Sequence, residues 1–170
     1  MHTADRSDSG SFRIRRAASE DAEAILACLD AAFAPYRSQY TPGAFADTVL
    51  DAETVHRRLT EMRLFVAIAG ESIVGTIGCN AKGKEGHIRG MAVLPEWAGT
   101  GVAAELLRAV EQELIQKDCT IVTLDTTEPL MRAKRFYEKH GFRRTGQVFE
   151  FFGMQLTEYS KALGDVPLRG

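Results

Sequence analysis

The chain predicts a mixed α/β domain whose sheet is mostly antiparallel and carries one parallel pair. Two apolar runs, residues 64–69 and 72–80, are separated only by Gly70-Glu71, so no helix fits between them and they must fold back as a hairpin. Two later runs, residues 87–94 and the stretch TIVTLDTT from Thr120, flank a segment of helical spacing, and that order calls for a parallel crossover. At 170 residues and 45% hydrophobic content, the chain can bury one core and is too short for two ordinary domains with a linker. The expected organisation is a single domain over residues 12–160 between tails 1–11 and 161–170.

Phe12 to Arg16 alternates apolar and charged residues and predicts a short strand. Ser19 reads as an N-cap, with Glu20 and Asp21 favourable near the positive end of a helix that runs to about Phe33. The next stretch, PYRSQYTPGAF over residues 35–45, carries two tyrosines, two prolines and a glycine and predicts a loop able to act as a lid. A helix over 52–62 precedes the hairpin. After the crossover, residues 130–140 predict a short helix stopped by Gly141, and GFRRTGQ and FEFFGMQLTEY supply the last strands.

The most informative stretch is MAVLPEWAGTGVAAELL, residues 91–107, where a strand passes through a turn and a Gly-Thr-Gly loop into an amphipathic helix. Val102, Leu106, Leu107, Val110 and Leu114 recur at helical spacing, while Arg108, Glu111 and Gln112 fall elsewhere. The first amides of a helix have no carbonyl partner and carry the positive end of its dipole, so an anion there satisfies both deficits. Gly99 and Gly101 let a diphosphate approach the amides of Gly99, Thr100, Gly101, Val102, Ala103 and Ala104 without help from a lysine.

Charge and cysteine usage narrow the class. A net charge of −2 gives no sequence-wide basic footprint, so nucleic acid is not expected as a partner. No apolar run reaches membrane-spanning length. Cys28, Cys79 and Cys119 lie far apart in apolar segments without a Cys-x-x-Cys pair, which suits reduced packing residues in a cytoplasmic protein and gives no metal-ligand pattern. The opening MHTADRSDSGS lacks an apolar core and reads as a tail, not an export signal.

With these pieces placed, residues 12–159 resemble the GNAT family of N-acetyltransferases. The 91–107 segment looks like that family's acyl-CoA signature, Arg/Gln-x-x-Gly-x-Gly/Ala, falling on Ala98, Gly101 and Ala103, and AKRFYEKHGFRRTG looks like its tyrosine-bearing second motif. The element order agrees. Two positions depart from the pattern: Ala98 stands where arginine or glutamine is usual, and Leu130 where many relatives have asparagine. Main-chain amides should still hold the diphosphate, since any residue supplies them.

The resemblance implies transfer of an acetyl group from acetyl-CoA to a primary amine of a small molecule or peptide. It implies that the strands ending at Val93 and near Asp125 splay, so that the pantetheine arm lies between them against Met91, Ala92 and Val93. The N–H of Met91 or a neighbour would then stabilise the oxyanion. Gly90 fits either a bulge there or a packing contact beneath a helix. An amine acceptor is mostly protonated at neutral pH, so a base is needed, and histidine as a residue type titrates near the right range. His87 stands where some relatives carry a glutamate base, with Glu85 the second choice and a water chain a third. Tyr137 is the implied proton donor to the departing thiolate, whereas His140 at a helix end reads as a cap. Tyr36, Arg37, Tyr40, Phe45, Glu150, Phe151 and Phe152 are candidates for the acceptor pocket, and Arg37 for pairing with an acceptor carboxylate. The apolar FEFFGM segment offers an edge for a homodimer.

Two other classes fit parts of the pattern. GTGVAA followed by Asp125 satisfies a dinucleotide-binding fingerprint, but PEWA intervenes before the glycines and antiparallel strands precede them. A coenzyme A-sensing or partner-binding module that retains the fold without catalysis is the other.

Overall fold

The computed structural model describes residues 10–164; most of both expected tails, residues 1–9 and 165–170, lies outside the described residues. Seven strands form one sheet in the order β1-β2-β3-β4-β5-β7-β6. The strands are β1 Arg13–Arg16, β2 Arg63–Ala69, β3 Ser72–Lys82, β4 Glu85–Val93, β5 Ile121–Thr127, β6 Arg143–Phe151 and β7 Met154–Ala162, and the helices are α1 Ala22–Phe33, α2 Pro42–Val49, α3 Ala52–Glu61, α4 Val102–Gln116 and α5 Met131–Lys139. All pairs are antiparallel except β4 with β5.

Strand alternation divides the sheet into two packed faces. Leu64, Val66 and Ile68 of β2 face α1 and α3, meeting Ile25, Leu29 and Val55. Val74, Ile77, Ile88, Val122 and Leu124 face α4 on the other side. The expected stripe of α4 is fully realised, with Val102, Leu106, Leu107, Val110 and Leu114 at 0–1% exposure. Each such aliphatic contributes roughly 1.5–3 kcal/mol by leaving water. That burial fixes the N-terminus of α4 against the edge of β4.

Three local expectations change. Ser19 does not cap but opens a 3-10 turn over Ser19–Asp21, which the Asp21 carboxylate ties back by accepting the Ala18 N–H at 2.7 Å while pairing with Arg15 at 2.7 and 2.9 Å. The guanidinium holds the Asp21 carboxyl below its ordinary range. Residues 35–45 are no loop: a 3-10 turn over Ala34–Gln39 runs into α2, whose N-cap Thr41 accepts from the Ala44 N–H at 3.2 Å. Pro35 and Pro42, read as loop signals, instead occupy first turns, where a missing N–H costs nothing. The last hairpin turns inside FEFFGM, at Phe152 (φ 50°) and Gly153 (φ 82°), and β7 continues to Ala162 with the Leu163 N–H donating to Thr120 at 2.8 Å.

The parallel pairing is short. β4 and β5 are in register only at Glu85–Ile121, Gly86–Val122 and His87–Thr123, after which β5 stays with β7 through Thr127. Beyond that point β4 bends. Thr76 pairs with Ala92 and Gly78 with Arg89, so Ile77 alone faces both Gly90 and Met91, which is a bulge. Gly90 has φ 70°, and a Cβ there would approach only the Arg58 Nη1, at 3.4 Å. Of the two roles open for Gly90, the structure selects the bulge.

Candidate active site

The splay between β4 and β5 opens at the same end of the sheet as the N-terminus of α4. Leu94 donates its N–H to Val74 on β3 at 2.9 Å, so by alternation the Val93 N–H turns away from β3, toward the gap. The Ala92 side chain is 4% exposed and packs on the α1 side.

The loop after β4 has the shape its glycines require. Gly99 has φ 76° and Gly101 φ 92°, and the Thr100 hydroxyl donates to the Trp97 carbonyl at 2.5 Å. The first helical bond of α4 is Glu105 N–H to Gly101 at 3.0 Å. Among the described residues, no backbone carbonyl accepts from the amides of Val102, Ala103 or Ala104. Ala98, Gly99, Thr100 and Gly101 are exposed, whereas the Val102 side chain is in the core, so only its N–H can serve a ligand. This cradle fits a diphosphate without a charged side chain.

Tyr137 on α5 is 5% exposed, with Phe136 and Phe142 edge-on at 5.4 and 5.5 Å. Burial raises the pKa of its hydroxyl, which therefore stays protonated across the physiological range. His140 behaves as read: its Nδ1 lies 2.9 Å from the Phe136 carbonyl at the end of α5.

His87 is half-buried on the opposite face of the sheet from α4, its Nδ1 2.9 Å from Thr123 Oγ1 and its Nε2 3.8 Å from Asp125 Oδ2. Burial raises the Asp125 carboxyl, opposed by the charge of His87. Asp125 Oδ1 is buried without a partner. Along β4, His87 stands four residues before Met91, about 13 Å at roughly 3.3 Å per residue. Glu85 is a further two residues back, exposed beside the β3–β4 turn, at about 20 Å on the same arithmetic.

The acceptor-side candidates are partly gathered. Thr41 donates its hydroxyl to the Phe152 carbonyl at 2.6 Å and the Phe152 ring lies over Gly43, so the β6–β7 tip clasps the start of α2. Phe151 is half-buried and edge-on to Phe152 at 5.1 Å. Tyr40 is buried with its hydroxyl on Thr127, which makes it a wall joining this segment to β5. Tyr36 is half-buried, and Arg37 is exposed and stacked 4.5 Å over the Phe45 ring. Residues the sequence reading passed over stand closer to the bulge: Arg58 on α3, Arg89 on β4 and Asp47 on α2, with Arg89 paired to Asp47 at 3.0 Å.

A parallel pair that opens beside a glycine-cradled helix, within an otherwise antiparallel sheet, defines the acyl-CoA acyltransferase class of fold. The chain belongs to the GNAT acetyltransferase family, whose domain matches residues 21–163. It is 27% identical over 114 residues to N-acetylaspartate synthetase from Danio rerio, covering 66% of this chain and 40% of that protein. It is 32% identical over 91 residues to human N-acetyltransferase 8B, covering 50% and 40%. The chain thus spans less than half the length of these curated relatives. Among solved structures, the PaiA N-acetyltransferase from Thermoplasma acidophilum in complex with coenzyme A superposes with a TM-score of 0.76 at 17% identity, covering 89% of this chain and 99% of that one. The ribosomal-protein-S18-alanine N-acetyltransferase from Escherichia coli does so with 0.72 at 14%, covering 94% and 100%. Among the described residues no group of His, Cys, Asp and Glu is arranged to hold a metal ion, and no helix is long and apolar enough to cross a membrane.

Proposed function

We propose that the protein is an N-acetyltransferase that moves the acetyl group of acetyl-CoA to a primary amine by direct attack in a ternary complex. The observation that carries this reading is the splay of β4 from β5 opening onto the unpaired amides of α4. Those amides grip the diphosphate, and the pantetheine arm lies in the gap against the main chain of Met91 and Val93. The amine nitrogen attacks the thioester carbonyl and the C–S bond breaks. The amine's proton passes through water to His87, and the Tyr137 hydroxyl protonates the departing sulfur. Three buried free cysteines fit a cytoplasmic setting. β6, at one edge of the sheet, exposes Val148 and Phe149 and is where two copies would pair.

A thermal-shift series tests the reading. Acetyl-CoA and free CoA, far above their dissociation constants, should each stabilise the protein by a few kcal/mol, with no response to NAD. A response to NAD alone rejects it. Thiol release from acetyl-CoA, accelerated by an amine, separates an enzyme from a CoA-sensing module that binds and does not turn over.

Tyr137→Phe keeps the ring packing and removes only the hydroxyl. We expect kcat to fall about tenfold with the KM for acetyl-CoA unchanged, because a thiolate with a pKa near 8.5 is a tolerable leaving group unaided. Steady-state kinetics at saturating acetyl-CoA read this directly, and an unchanged kcat assigns Tyr137 to packing.

A further inference from the structure

Two guanidiniums stand at the β4 bulge, and the carboxylate of Asp47 pairs with only one of them. Arg89 takes the Asp47 carboxylate at 3.0 Å. Arg58 has only the Asp47 main-chain carbonyl, at 3.5 Å, and among the described residues no carboxylate lies within ion-pair distance of it. Arg58 is nevertheless half-buried, and its Nη1 stands 3.4 Å from where a Cβ on Gly90 would be. Burial, aided by the nearby Arg89, pushes the guanidinium down to about 10. A desolvated, under-paired arginine costs stability unless something repays it.

Both side chains line one cleft with Leu29, Leu50, Thr76 and Gly90. Its volume of about 10 Å³ is at the lower limit for one water-sized oxygen, which suits the tip of an anion and excludes a side chain. A second observation lies across the bulge. Asp125 stands on the same sheet face as His87 and Arg89 with a quarter of its side chain exposed, and its carboxylate offers an acceptor to an ammonium. Anion receptor and cation receptor thus flank the place where attack would occur.

We propose that the acceptor is an amine bearing a carboxylate a few bonds away, as in an α-amino acid, and that Arg58 and Arg89 hold that carboxylate. This rests on the acyl-transfer reading above. The guanidiniums orient the acceptor so that its nitrogen faces the bulge, and they distinguish it from the same amine with its acid masked.

The test is thiol release from acetyl-CoA with L-aspartate, L-glutamate, L-methionine and L-phenylalanine, each beside its α-amide and its α-decarboxylated amine. At least one acid should exceed its amide and amine by about tenfold or more in kcat/KM, the worth of a charge-assisted hydrogen bond. Arg89→Ala, and Arg58→Lys as the variant that keeps charge and packing, should raise the KM for the acid by a similar factor while the KM for acetyl-CoA holds. Amides or decarboxylated amines that match the acids overturn the proposal. So does a uniform loss of kcat with all acceptors, which would place the arginines on the thioester. Refusal of every acid while acetyl-CoA still stabilises the protein sinks this inference alone; loss of that stabilisation sinks the acyl-transfer reading with it.

Discussion

Gly101→Val is expected to weaken binding of acetyl-CoA and of free CoA by at least about a hundredfold while leaving the protein folded. Gly101 sits at φ 92° immediately before α4, a conformation that a β-branched residue adopts only at a cost of about 1–3 kcal/mol. A Cβ there meets no atom within 4 Å, so the penalty is wholly in the backbone and no neighbour need move. The chain relieves it by rotating the peptide planes on either side, which turns away the amides that would face the diphosphate. Two charge-assisted hydrogen bonds at about 1.5–3 kcal/mol each suffice for the predicted loss. Calorimetric titration measures it, and circular dichroism checks the fold. Undiminished affinity would locate the diphosphate elsewhere on the protein.

The α4 stripe and the glycines before it were legible because helical periodicity and positive φ are local properties, each tied to a few consecutive residues. Residues 35–45 misled because proline is a breaker inside a helix and a good first residue of one, and only packing decides; Pro42 follows a capping threonine whose hydroxyl binds the Ala44 amide. The partners of His87 were hidden for a different reason. His87 meets Thr123 only because the parallel register sets those two opposite each other 36 residues apart, and no spacing rule within one strand encodes that. Nothing in the sequence singles out Arg58 and Arg89, since the bulge beside which they stand is a property of the β3–β4 register. Asp125 enters the sequence reading as the end of the splayed strand and in the dinucleotide fingerprint set aside there; its place beside His87 depends on the same parallel register.

The second large effect follows from those hidden contacts. Thr123 Oγ1 lies 3.5 Å from the Gly86 carbonyl, to which it donates its hydroxyl hydrogen, so its oxygen is left to accept from His87 Nδ1–H at 2.9 Å. That tautomer leaves the lone pair on Nε2, 3.8 Å from Asp125 Oδ2. Once Nε2 takes a proton, the Asp125 carboxylate at 3.8 Å stabilises the cation, offsetting part of the cost of burying it. His87→Ala removes both functions. We expect kcat at neutral pH to fall by about 10²–10³-fold, within the ordinary range for general base catalysis, with the KM for acetyl-CoA unchanged because the cradle is remote. The sign of the pH dependence is fixed by the acceptor: as pH rises, more of the amine is already free, so the need for a base declines and the variant regains part of the lost rate. Asp125→Asn should lose less, about tenfold, since it spares the base and withdraws only the charge that favours its protonated form. Parallel pH profiles for His87→Ala and the parent protein, offset by a constant or not at all, would exclude His87 from proton transfer and leave the task to water alone.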